Sequence, residues 1–138
     1  MKTEKTTITR LPKRGAYNTD TINSIVDEAL FCTLSYTNAK QPFSIPTGHC
    51  RIGNHLYIHG SVGAGYMRQM AENIPVCISI TLLDDLVLAK SAFHHSVNYR
   101  SVVAFATAEL VEDFDEKMKA LEVFTEKIVE VTKEVENK

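Results

Sequence analysis

The sequence predicts a mainly β domain, an antiparallel sheet or small barrel flanked by helices. Two observations carry that expectation. Strand-like segments outnumber helical ones, and consecutive strands are joined by short turns rather than by the helical crossovers of a doubly wound fold. The length of 138 residues suits one domain with a working core. Residues 1–17 lack periodicity and are expected as an extended arm, with 18–138 forming a single domain that ends in a helix.

The first helix is expected from Asn18 or Asp20. Ile22, Ile25, Val26, Ala29 and Leu30 recur at the spacing of one buried helical face, behind polar capping candidates. Residues 31–37 then alternate, which sets Cys32, Leu34 and Tyr36 on one side of a strand. A turn over 38–41 leads to a second strand over 42–52, whose two prolines suit an edge or a bulge. Gly53-Asn54 is a two-residue hairpin signal that pairs Ile52 with His55 and opens a third strand over 56–60. The glycine-rich "GSVGAGYMRQMAEN" enters a short helix striped by Tyr66, Met67, Met70 and Ala71. Pro75 ends that region, and 76–83 is a β-branched strand followed by a turn or bend at Asp84-Asp85. The last long strand is expected over 99–111. From Phe114 a charged helix carries Leu121, Phe124, Ile128, Val131 and Val135 at spacings of three and four.

Composition narrows the function classes. A net charge of −2 lacks the basic footprint of a nucleic-acid binder, and Lys2, Lys5, Arg10, Lys13 and Arg14 scatter along the arm. No apolar run approaches the roughly 20 residues of a membrane span, so no membrane partner is expected. No apolar segment follows the first charges, so a secretory signal is not expected and the location follows as cytoplasmic. Three cysteines, each inside a strand-like segment, are expected as buried inert thiols. The five histidines do not form a metal motif: His55 and His59 stand about 13 Å apart along a strand, and adjacent His94 and His95 point to opposite sides of one. No nucleophile elbow is present.

"HGSVGAG" leaves a strand and enters a helix, so its backbone N–H groups could converge on an anion. A glycine loop that merely turns the chain satisfies the same residues. Arg100 and Ser101 add a guanidinium and a hydroxyl, natural phosphate partners, although a surface ion pair is the other reading of Arg100.

Taken together, "RLPKRGAY", "QPFSIPT", "LYIHGS", "PVCISITLLDDLVLAKSAFHHSVNYRSVV" and "EKMKALEVFTE" resemble the pyridoxamine 5′-phosphate oxidase-related split-barrel proteins, in the branch that includes nitroimidazole-resistance, nitroreductase-like members. The resemblance covers roughly residues 10–128, and "SAFHHSVNYRSV" is its most specific run. It implies an antiparallel six-stranded split β-barrel that forms a homodimer, with FMN in grooves at the subunit interface. By position in those motifs, Ile45, Pro46 and Thr47 would lie along the isoalloxazine. His59, Gly60 and Ser61 would stand near the ribityl chain and phosphate. Tyr99, Arg100 and Ser101 would touch the flavin, His94 and His95 would reach across the dimer, and Thr47 and Ser101 would donate at the ring's N1–C2 edge. Many members carry a Ser-Arg pair after the loop where this chain has Ala64-Gly65, and Arg68 one turn on is the candidate substitute. The implied activity is a flavin-dependent oxidoreductase reducing a small acceptor, with NADH or NADPH as the donor. The alternative is a non-catalytic flavin- or haem-binding dimer used for storage or sensing.

Overall fold

The computed structural model describes residues 5–6, 12–60, 65–91 and 95–136. After a 3-10 turn over Pro12–Arg14, helix α1 (Thr19–Glu28) is followed by strands β1 (Phe31–Asn38), β2 (Gln41–Ile52) and β3 (His55–Ile58). The short helix α2 (Gly65–Met70), strands β4 (Pro75–Val87) and β5 (Ser96–Thr107), and the long helix α3 (Phe114–Glu136) complete the order. Among the described residues the strands form one open five-stranded sheet, ordered β3-β2-β1-β4-β5, where the resemblance implied six. All four pairings are antiparallel.

The alternation expected for β1 is observed, with Cys32, Leu34 and Tyr36 buried. Register carries the same side across the sheet through Cys32↔Thr47, Leu34↔Ile45 and Leu34↔Ile78. Ile25, Val26 and Ala29 of α1 pack there with Val76, Ile78, Ile80 and Val102 to form the core. Full burial of one such aliphatic side chain is worth about 1.5–3 kcal/mol, so this face of α1 fixes the helix to the sheet.

On the opposite side, α3 covers the β2–β3 end. Phe124 rests against Gly48, the Cys50 thiol donates to the Ala120 carbonyl, and the Tyr57 hydroxyl lies 2.7 Å from a Glu116 carboxylate oxygen. Glu116 is held near the helix start, where the Asp113 carboxylate accepts its backbone N–H and so caps one of the free donors of the first turn.

Several expectations change: β3 runs His55–Ile58 rather than 56–60, and Cys77 is half-buried while Cys32 and Cys50 are buried. Asp84-Asp85 is not a turn: β4 continues to Val87, and the register steps from Leu83↔Tyr99 to Asp85↔Asn98. Asp84 is the extra residue of a β-bulge, which bends the strand without ending it. The final strand begins at Ser96 rather than Tyr99 and ends at Thr107 rather than Val111. The prolines of β2 behave as expected. β3 pairs only with the His49–Ile52 stretch, so Pro42 and Pro46 lie where β2 has β1 alone as a neighbour.

Candidate functional site

Strand alternation divides the residues expected to line a flavin. Ile45 packs on the core and Thr47 is 8% exposed, its hydroxyl 3.5 Å from the His59 carbonyl oxygen. Pro46 between them faces the other side, opposite Thr33 and exposed. Three consecutive strand residues cannot share one wall, so only Pro46 presents itself on the open face.

That open face is apolar along β5. Val97, Tyr99, Val103 and Phe105 are each 45–56% exposed, and Leu83 and Leu86 of β4 add 63% and 66%. Ser101, opposite Thr81, supplies a hydroxyl inside the stripe. Contiguous exposure of this kind marks an interaction surface rather than ordinary surface scatter.

Arg100 points the other way. Its Nη1 and Nη2 donate to the two carboxylate oxygens of Glu28 at 2.7 and 2.9 Å. Nε and Nη2 also donate to Asp84, at 3.0 and 2.9 Å. The ion-pair reading of Arg100 is therefore the one observed, and the guanidinium anchors the end of α1 to the bulge of β4. Its hydrogen bonds hold the Glu28 and Asp84 carboxyls below the usual carboxylate range, and they raise its own pKa. Sequence reading missed both carboxylates. Glu28 is 72 residues away, and no local pattern links such positions.

His95 is exposed, and its Nδ1 accepts the Ala89 backbone N–H at 2.9 Å. An Nδ1 that accepts leaves a hydrogen on Nε2 that can be donated to a ligand. Arg68 is exposed in the last turn of α2. His59 follows β3, exposed, with its ring centroid 6.3 Å from that of Phe124, and Gly60 comes next. Ser61, Ala64 and His94 lie outside the described residues.

The sheet order separates these groups. His59 and Gly60 leave β3 at one edge, whereas Tyr99, Arg100 and Ser101 stand on β5 at the other. Four inter-strand spacings, about 19 Å along the sheet, lie between them. Within one chain the two halves of the expected site do not neighbour each other in the sheet.

A family model described as pyridoxamine 5′-phosphate oxidase matches residues 18–138. Among solved structures, a FAD and haem binding protein from Mycobacterium smegmatis is 33% identical with a TM-score of 0.75, over 82% of this chain and 55% of that one. A flavocytochrome from Azotobacter vinelandii is 29% identical with a TM-score of 0.80, over 91% of this chain and 58% of that one. A protein assigned to 5-nitroimidazole antibiotic resistance in Bacteroides thetaiotaomicron is 25% identical with a TM-score of 0.68, over 81% and 67%. The chain thus spans little more than half the length of the first two. No curated protein matches it by sequence.

Proposed function

Because the chain belongs to the pyridoxamine 5′-phosphate oxidase family, we propose that it binds a flavin, FMN, in a groove shared by two copies and serves as a flavin-dependent oxidoreductase for a small acceptor. The observation that carries this reading is the pair of opposed edges. One edge offers His59 and Gly60, with Arg68 on α2 following in sequence, and the other offers Tyr99 and Ser101, with His95 just before β5. A second copy seated on the Leu83, Leu86, Val97 and Tyr99 end of the apolar stripe, away from Phe105, brings one edge of each chain to the other edge of its partner, as an isologous interface requires.

The donor set suits the group. A flavin needs an apolar wall, donors for its carbonyl and nitrogen edge, and a cation or N–H groups for its phosphate. Pro46 and Tyr99 supply the wall, the Ser101 hydroxyl and the His95 Nε2–H supply donors, and Arg68 supplies the cation. Bound flavin would supply the hydride and electron chemistry, and the protein's part is to bind and orient it. Arg100 acts through its neighbours: clamped by Glu28 and Asp84, it positions Tyr99 and Ser101 on either side of it along β5.

A second reading, a dimer that holds flavin or haem for storage or sensing, is favoured by Gly65. The place where many members carry an arginine has no side chain here, and phosphate retention would rest on Arg68 and the loop. Visible spectra and turnover separate the readings. The purified chain is expected to bind added FMN in a fluorescence titration, and to oxidise NADH or NADPH in the presence of a nitroaromatic acceptor. Binding without turnover over a panel of acceptors would favour storage, a Soret band would indicate haem, and a chain that ignores FMN would end the flavin reading.

A further inference from the structure

We propose that the groove where the β1–β2 and β4–β5 hairpins part is a binding site for a small aromatic carboxylate, separate from the flavin-edge residues. The β1–β4 ladder covers only Thr33↔Ser79, Leu34↔Ile78 and Ser35↔Cys77. Beyond it β1 keeps pairing with β2 as far as Asn38↔Gln41, and β4 keeps pairing with β5 as far as Pro75↔Thr107. Each hairpin follows its own ladder, and the opening between them has a volume of about 420 Å³. Small-molecule sites span about 300–1,000 Å³, which places a one- or two-ring ligand in range.

The lining is chemically selective. Ser35 Oγ and Ser44 Oγ lie 2.8 Å apart. In such a pair one hydroxyl donates to the other, so one hydroxyl hydrogen remains to be offered to a ligand. Phe105 forms an apolar wall at 45% exposure, with the Lys5 ammonium 4.9 Å from its ring centroid. Pro42 and the half-buried Cys77 thiol also line the groove, and among the described residues no acidic side chain does. One cation, one free hydroxyl donor and a flat apolar wall match a single negative charge carried on a ring. A carboxylate accepts from both donors, one oxygen to each.

The groove stands apart from the flavin-edge residues of its own chain. Phe105 is six residues from Tyr99, on the order of 20 Å along the strand. The inference does not depend on flavin binding, and its test uses none.

Cys77 provides the reporter, because Cys32 and Cys50 are only 3% and 2% exposed. Benzoate is titrated against the full chain while carbamidomethylation of Cys77 by iodoacetamide is followed by mass spectrometry. The expected result is saturable protection by benzoate and none by benzyl alcohol. Lys5→Met, on the exposed arm, should raise the half-protecting benzoate concentration about tenfold or more without changing the unprotected rate. Phe105→Leu should weaken protection as well. An unchanged rate at the solubility limit of benzoate would overturn the proposal, as would protection that is equal for benzyl alcohol or undiminished in Lys5→Met.

Discussion

Phe124 of α3 lies so close to Gly48 of β2 that a Cβ added to the glycine would stand 2.8 Å from the phenyl Cζ. The ring fills the space that a side chain at position 48 would need. Gly48→Ala forces the Phe124 ring to shift, an overpacking cost of about 1–3 kcal/mol. Urea unfolding should show that loss, and Gly48→Ala combined with Phe124→Leu should recover part of it, because the two sites share one contact.

His49 is fully buried, with Nε2 2.9 Å from the Val26 carbonyl oxygen and Nδ1 without a hydrogen-bond partner among the described residues. Burial holds its pKa below the ordinary 6.5. Lys127 of α3, which donates to the Val26 and His49 carbonyls, pushes the same way, while the Val26 hydrogen bond and Asp27 of α1 oppose it. The unfolded chain therefore binds more protons at mildly acid pH. The stability that depends on neutral His49 is complete above about pH 6.5 and is lost as pH falls from there toward the folded pKa. Thermal unfolding from about pH 7.5 to 5.5 should show this fall, with a slope of at most about 1.4 kcal/mol per pH unit from one proton, and His49→Leu should flatten it.

Arg100→Gln removes the clamp on Glu28 and Asp84 and leaves two carboxylates near the same bulge. The unfolding temperature should drop at low salt. Since all three side chains are partly exposed, screening at about 1 M NaCl should shrink the difference between variant and parent. An equal drop at both salt concentrations would point to lost packing rather than lost charge.

The β1–β2 turn places two non-glycine residues in the left-handed region, Ala39 at φ 49° and Lys40 at φ 66°. Two-residue hairpins of this shape favour Asn-Gly. Replacing the pair by Asn-Gly should raise stability by about 1 kcal/mol in denaturant titration, since residues other than glycine are strained there.

Much of the fold was legible because period and turn chemistry are local. The α1 stripe, the alternation of β1 and the Gly53-Asn54 hairpin with Ile52↔His55 all follow from residues within a few positions of one another. Asp84-Asp85 misled for the same reason. Two aspartates read locally as a turn, but a bulge is possible because Arg100, on the paired strand, takes up Asp84. The site was less legible. Motif order suggested that Ile45, Pro46 and Thr47 act together, whereas the strand pleat sends the first and third to the core. Nothing local could show that His59 and Tyr99 stand on opposite edges of the sheet, because sheet order is a long-range property.

In the proposed dimer, flavin is held between two copies, one edge from each. Sedimentation velocity of the FMN-titrated chain, recorded at the flavin's visible absorbance band, tests it most directly. Bound flavin should sediment with a dimer, and none should travel with the monomer. Flavin sedimenting with a single chain, or remaining unbound while the chain is dimeric, would contradict it.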